Sequence, residues 1–122
     1  MANKVVYAKL WEPNQIDNAA NEVIYTATLG AATGPSSSIG VVKNISAVVT
    51  NTTAVAATVA VWVIPSGGAA GDSNKLINTE SVPAYGRLSF TVPDMSVGDS
   101  IEALAGTATA LTIHCTSGII IN

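Results

Sequence analysis

Short runs of apolar and small residues, separated by Gly, Pro, Asn and Asp, recur along the chain. Runs of this length with turn residues between them are typical of β-strands rather than helices. The pattern predicts strands at residues 4–10, 22–29, 40–50, 55–64, 86–92, 99–105 and 110–121. Strands at this spacing predict an all-β fold, a single-domain β-sandwich over residues 1–122, of the jelly-roll or the immunoglobulin-like kind. The pattern leaves the order of the strands open.

The segment TVAVWVI, residues 58–64, is apolar on both of its faces. Side chains alternate along a strand, so one face carries three valines and the other carries Ala60, Trp62 and Ile64. We expect either a central strand of a two-layer core or a strand whose second face is covered by a neighbouring subunit.

Three polar segments connect the predicted strands. Residues 11–22 form a loop or a single helical turn capped by Asp17. Residues 30–40, GAATGPSSSIG, are typical of a mobile surface loop. Residues 93–98 predict a tight turn before Asp99, in which Gly98 supplies a positive φ.

The chain is poor in charge. Charged residues make up 11% of the 122 residues and hydrophobic residues 48%, whereas an average soluble domain has about 25% charged residues. Few charged side chains are then available to cover the surface of an isolated molecule, so we expect part of the surface to contact another protein. This composition predicts a homo-oligomer, and we expect a trimer.

Charge and cysteine content exclude several classes of function. The five basic residues are scattered and the net charge is −3, whereas nucleic-acid binding needs clustered Lys and Arg. No apolar run approaches the roughly 20 residues of a membrane span, and MANKVVYAKLWEPNQ lacks the apolar core of a signal peptide. The lone Cys115 permits no internal disulfide. We therefore expect synthesis in the cytoplasm and binding to neither nucleic acid nor membrane.

The glycine-rich loop in VWVIPSGGAAGDSNKLI, residues 61–77, is the segment closest to a known chemical motif. A phosphate-binding loop needs Gly-Lys-Ser/Thr, but Gly71 is followed by Asp72 and Lys75 follows an asparagine. Calcium needs six to eight oxygen ligands, and this loop offers one carboxylate. We predict that the loop only turns the chain after Pro65, with neither nucleotide nor calcium bound.

No pair of side chains predicts catalysis. His114 and Cys115 are adjacent, but neighbours on a strand point to opposite faces and cannot share a proton. Cys115 shares a face with Leu111 and Ile113, which predicts a buried thiol. One His and one Cys cannot supply a zinc site, and the eight acidic residues lack the aromatic cleft of a glycosidase. We expect no enzymatic activity and no cofactor.

From about residue 41 to 121, roughly two thirds of the chain, the order of features resembles small virion proteins of tailed bacteriophages. The matching pieces are VWVIPSGG, GDSNKLI, VPAYGRLSFTVPD, VGDSIEALAG and the last strand LTIHCTSGIII. Proteins of this pattern are similar to head decoration (cement) proteins and to small β-sandwich modules of phage tails and fibres.

The resemblance implies a non-enzymatic structural protein that is located in the virion after synthesis in the host cytoplasm. Decoration proteins bind the outside of a finished shell, commonly as trimers, so the implied partners are the major capsid protein or other virion proteins. The alternatives are a tail or fibre component, a carbohydrate-binding module and a small hydrolase. A carbohydrate-binding module needs exposed aromatic platforms, and only Trp11 and Tyr85 lie in polar or turn contexts.

The amino-terminal residues 1–22 change from apolar to polar and lie outside the segment that carries the resemblance. We predict that they form a docking arm, with Tyr7, Leu10 and Trp11 as interface residues, because Trp and Tyr are favoured interface anchors. The alternative is that residues 4–10 are the first strand of the sandwich.

Overall fold

The computed structural model describes residues 5–7, 9–27 and 41–121. The loop predicted at residues 30–40 lies outside these ranges. The described strands are β1 (Val5–Tyr7), β2 (Asn14–Gln15), β3 (Glu22–Thr26), β4 (Val41–Asn51), β5 (Ala57–Ile64), β6 (Lys75–Val82), β7 (Arg87–Val92), β8 (Met95–Ser96), β9 (Ser100–Ala105) and β10 (Leu111–Ile121). A 3₁₀ helix, Asp72–Asn74, precedes β6. None of the helical structure in these ranges is long and apolar enough to cross a membrane.

The strands form two sheets in which every pairing is antiparallel. The first sheet has the order β1-β10-β4-β7, with β2 also pairing with β10 and β8 with β4, and the second has the order β3-β9-β5-β6. If β1 and β2 count as one interrupted strand and β7 and β8 as another, the first sheet contains strands one, eight, three and six. The second then contains strands two, seven, four and five. This is the order of a jelly roll, which decides between the two kinds of sandwich that the sequence left open.

The core lies between the two sheets and is built from alternate residues of the long strands. The inward faces of β4 and β10 supply Ile45, Val49 and Ile113, all fully buried. The opposite sheet supplies Val59 and Ile101. Strictly alternating burial along β9 shows why a period of two in the sequence is sufficient to specify these strands.

The outer face of β5 is covered by the chain itself. The strand is central in its sheet, between β9 and β6. Ala60, Trp62 and Ile64 form a second buried cluster, against which Ala70 and Leu104 pack. Since the connection after β5 covers this face, its apolar character does not require a neighbouring subunit.

All of the predicted strands correspond to observed ones in the described residues, but three observed strands were not predicted: the two-residue strands β2 and β8 and the eight-residue strand β6. Of the two forms expected for residues 11–22, the structure shows the loop and not the helical turn, and the short strand β2 lies within that loop. Asp17 accepts a hydrogen bond from the amide of Ala19 (3.1 Å), so its side chain stabilises a local turn. The longest strand that was not predicted is β6, which follows the glycine-rich loop.

The turn predicted at residues 93–98 is present. Gly98 has φ +94°, and β8 lies within the segment. The carboxylate of Asp99 accepts hydrogen bonds from the amides of Ser66 (3.0 Å) and Ser96 (2.9 Å). Asp99 therefore holds the connection after β5 against the turn before β9, which is a structural role.

Candidate functional site

The glycine-rich loop is a turn, as predicted. The amide of Gly68 donates to the carbonyl of Pro65 (2.9 Å), and Gly67 has φ +79°. Asn74 closes the second half of the loop, because its side chain accepts from the amide of Gly71 (3.0 Å) and donates to the carbonyl of Ala69 (2.9 Å). The side-chain oxygen of Asn74, which could otherwise bind calcium, thus already accepts a hydrogen bond within the loop. The absence of nucleotide and calcium binding stays a prediction.

His114 and Cys115 lie on opposite faces of β10, as their adjacency predicts. Cys115 is 6% exposed and belongs to the core, where its sulfur accepts a hydrogen bond from the amide of Leu10 (3.4 Å). His114 faces outwards, and its Nε2 lies 3.4 Å from Oγ1 of Thr50. Within the described parts of the chain, no three His, Cys, Asp or Glu side chains come together as a metal site would require.

The structure places Trp11 in the protein's own core rather than on its surface. Trp11 is 8% exposed and Leu10 packs against the same core. The backbone of Tyr7 pairs with Ile119 of β10. The side chain of Tyr7 lies outside the described part of the structure. Trp11 is therefore not available as an exposed anchor, because this large apolar side chain fills space between the sheets. Pairing of β1 with β10 agrees with the alternative that the segment is the first strand. Contact between residues 1–22 and a neighbouring molecule stays a prediction.

A second arrangement, which the sequence did not single out as a site, lies at one end of the sandwich. It is built around Asn51, the last residue of β4 and a polar side chain that is only 3% exposed. Its Nδ2 donates to the carbonyls of Val55 (2.9 Å) and Val82 (3.1 Å). Its Oδ1 accepts from the amide (2.9 Å) and the hydroxyl (2.8 Å) of Thr53. One buried amide thereby ties the β4–β5 connection to the end of β6.

The β6–β7 connection is a tight turn that presents Tyr85 to solvent. The amide of Gly86 donates to the carbonyl of Pro83 (2.8 Å), and the amide of Tyr85 donates to the carbonyl of Thr53 (3.1 Å). A Cβ at Gly86 would lie 2.7 Å from Cγ of Pro83, so the turn requires glycine there. Tyr85 has φ +54° and is 74% exposed. A large side chain is thus held outwards on a backbone conformation that favours glycine.

A recess of about 570 Å³ lies beside Tyr85. It is lined by Thr50, Asn51, Thr52, Tyr85, Gly86 and Arg87. Arg87 begins β7 and is paired in register with Thr50 on β4, so both side chains lie on the outer face of the first sheet. We call this set, from the Tyr85 ring to the Arg87 guanidinium, the Tyr85 recess.

Arg87 carries a charge that the described residues do not neutralise. The ion pairs in these ranges are Lys9–Glu12 and Lys43–Asp94. Arg87 is exposed and belongs to neither pair. The Tyr85 recess therefore offers an aromatic ring, hydroxyl groups and a guanidinium with no ion-pair partner among the described residues, which suit binding of a ligand with an apolar face and an anionic group. One hydroxyl of the lining, that of Thr50, lies 3.4 Å from Nε2 of His114.

A smaller recess of about 280 Å³ lies among β2, the following bend and the β9–β10 connection. Its lining includes Asp17, Asn18, Glu22 and Thr109. The carboxylate of Glu22 accepts from the amide of Asp17 (3.2 Å), and the side chain of Gln15 donates to the carbonyl of Thr109 (3.1 Å). These contacts hold the connection in place, and no aromatic ring lines this recess.

The comparisons with known proteins bear on the fold. No protein-family model matches the chain, and no curated protein sequence is significantly similar to it. The chain is similar in structure to a chain in the structure of infectious bursal disease virus, Gx strain, with a TM-score of 0.52 and 9% sequence identity. The match covers 98% of this chain and 32% of the viral chain, so this chain spans about a third of that protein. The similarity supports the β-sandwich fold.

Proposed function

We propose that the chain is a non-enzymatic structural protein of a virion, and more specifically a decoration (cement) protein that binds the outside of a phage head and stabilises it. The observation that carries the proposal is the jelly-roll sandwich, which is shared over nearly the whole chain with a chain of a virus structure. The resemblance of residues 41–121 to small phage virion proteins supports the same class of function.

The outer face of the first sheet has the character expected of a surface that packs against other subunits. From Ser46 to Thr50 on β4, along β7 and at the start of β10 it carries short hydroxyl and β-branched side chains with one arginine and one histidine. These residues are Ser46, Val48, Thr50, Arg87, Ser89, Thr91, Thr112 and His114. Nearer the start of β4 the exposed Lys43 is paired with Asp94. A pleated surface with few charges can be buried at little desolvation cost, and each square ångström of apolar area buried contributes about 25 cal/mol.

We propose a homotrimer as the assembled form, with the major capsid protein or another virion protein as the partner. The low charge content of the chain supports this proposal. The outer face of β5 does not contribute to it, because the chain covers that face itself. Multi-angle light scattering of the purified protein should give about three times the chain mass of 12.3 kDa. A monomer at micromolar concentration would contradict the trimer.

Binding to particles tests the proposed function. Particles of the encoding phage that lack the gene are mixed with the purified protein and sedimented. The proposal predicts saturable binding to isolated heads, raised resistance of those heads to heat, and no binding to isolated tails. Binding to tails alone would favour the tail or fibre alternative and contradict the decoration role.

A further inference from the structure

We propose that the Tyr85 recess binds an acidic saccharide. The ring of Tyr85 stacks on the apolar face of a sugar ring, and the guanidinium of Arg87 binds the carboxylate of that sugar. The inference does not depend on the proposed function, since it uses only the geometry at this end of the sandwich.

The conformation of Tyr85 is the first argument. A non-glycine residue at positive φ costs about 1–2 kcal/mol, and here the turn leaves the side chain 74% exposed instead of burying it. The ring therefore gains little packing within the chain in return for this cost. Asn44, Thr79 and Thr109 also have positive φ, but at Tyr85 the turn holds a large aromatic side chain exposed, as a binding site can require. The residue after it, Gly86, and the hydrogen bond from Tyr85 to Thr53 fix the direction of the turn.

The charge of Arg87, which lines the same recess as Tyr85, also favours this ligand. Arg87 is exposed and forms no ion pair within the described ranges, and its neighbour in register is the neutral Thr50. A guanidinium is a planar donor that matches a carboxylate with two parallel hydrogen bonds. The charge therefore favours an acidic sugar over a neutral one.

The recess is already formed before a ligand binds. Asn51 holds the β4–β5 connection and the end of β6 by four hydrogen bonds from a buried position. The walls are thus ordered before a ligand arrives, which lowers the entropic cost of binding. Hydroxyl groups of Thr50 and Thr52 line the same space, and each can donate to and accept from sugar hydroxyls.

Shape favours a saccharide over a protein partner at this position. A stable protein interface buries about 800 Å² on each partner over a broad surface. The Tyr85 recess is a concave space of about 570 Å³ lined by six residues, within the range of about 300–1,000 Å³ of small-ligand sites. An aromatic ring and a guanidinium in the same recess suit a sugar ring that has an apolar face and carries a carboxylate.

The test is a titration followed by amide chemical shifts, with tetragalacturonic acid as the acidic probe and maltotetraose as its neutral counterpart. The proposal predicts shifts at Thr52, Tyr85 and Gly86 with the acidic probe, and binding at least tenfold weaker with the neutral one. Signals of Asn18 and Thr109, which line the smaller recess, should not move. Absence of shifts at the Tyr85 recess up to the solubility limit of the acidic probe would overturn the proposal.

Substitutions distinguish the contribution of Tyr85 to binding from that of Arg87. Tyr85→Ala should weaken binding of both probes by about tenfold, whereas Arg87→Gln should weaken only the acidic probe, by about tenfold or more. Lys43→Gln is the matched control, because it removes an exposed positive charge that is already paired with Asp94, and it should leave both affinities unchanged. An equal loss with Lys43→Gln would mean non-specific charge attraction and would contradict the site.

A protein ligand is the competing outcome. If Tyr85→Ala and Arg87→Gln abolish attachment to particles while the wild-type protein binds neither saccharide, this surface is a protein contact and the saccharide proposal is wrong. If saccharide binding is lost in these variants and particle attachment is retained, the saccharide site stands apart from the structural role.

Discussion

The indole of Trp11 lies against the phenol of Tyr25, with ring centroids 5.9 Å apart and ring planes inclined by 35°. Trp11 belongs to the segment between β1 and β2, at the edge of the first sheet, whereas Tyr25 lies on β3, at the edge of the second. The pair therefore closes the sandwich along one side. Burial raises the pKa of Tyr25 above its ordinary value of 10.0, and Cys115 adds to that effect.

Replacing Trp11 tests this closure. Trp11→Ala should lower the free energy of unfolding by about 3–5 kcal/mol, because a large buried ring is lost and a cavity remains. Tyr85→Ala is the aromatic control, and the change there should stay within about 0.5 kcal/mol because the ring is exposed. Urea unfolding followed by circular dichroism measures both variants. If the Trp11→Ala protein were as stable as wild type, Trp11 would not be a core residue, and its proposed role as an exposed interface residue would again be open.

This burial also decides how the docking arm must be tested. Deleting residues 1–12 removes Trp11 from the core, so loss of particle binding in that variant would only report unfolding. A deletion that ends before Val5 leaves β1 and Trp11 in place. If residues 1–4 contribute to docking, this shorter deletion keeps the melting temperature and weakens particle attachment.

Asn51 is the residue on which the end of the sandwich depends. Asn51→Ala should cost about 3 kcal/mol, since buried polar partners left without a hydrogen bond cost about 1–3 kcal/mol each. The carbonyl of Val82 and the amide of Thr53 lose their partners. Asn78→Ala, at an exposed position on β6, should change stability by less than about 0.5 kcal/mol. Equal stability of the two variants in denaturant titrations would refute the role assigned to Asn51.

Glycine substitutions test the turn geometry. Gly98→Ala should destabilise by about 2 kcal/mol or more, because Ala at positive φ costs about 1–2 kcal/mol and its Cβ would lie 2.8 Å from Cβ of Ser66. Gly71 has φ −165° and open space around it, so Gly71→Ala should be neutral or slightly stabilising. Thermal melts of the two proteins measure the difference, and a neutral Gly98→Ala would show that the turn is built differently.

Cys115 should react only when the protein opens. The thiol is 6% exposed and contacts the amide of Leu10, so a thiol reagent should label it at the rate of unfolding. Cys115→Ala should cost about 1 kcal/mol, which corresponds to little more than the lost packing. Complete labelling within the mixing time under native conditions would contradict burial of this side chain.

The strands and the fold class could be predicted because alternation with period two is a strong local signal, as along β9. The strand β6 was missed because most of KLINTESV is polar and four consecutive residues are exposed at a sheet edge. Trp11 was misplaced because the polar segment Glu12 to Gln15 follows it in the sequence, and its burial involves Tyr25, which lies on the other sheet. The Tyr85 recess depends on contacts between Asn51 and residues up to 31 positions away, which no local pattern reveals.

We propose that this sandwich lies on the outside of a virus head, and a reconstruction of the purified particle by electron cryomicroscopy tests this most directly. The account predicts density for two packed four-stranded sheets on the outer surface of the head, in threefold clusters, and loss of that density in particles that lack the gene. A head surface that is identical with and without the gene, or density for the sandwich on the tail, would contradict it.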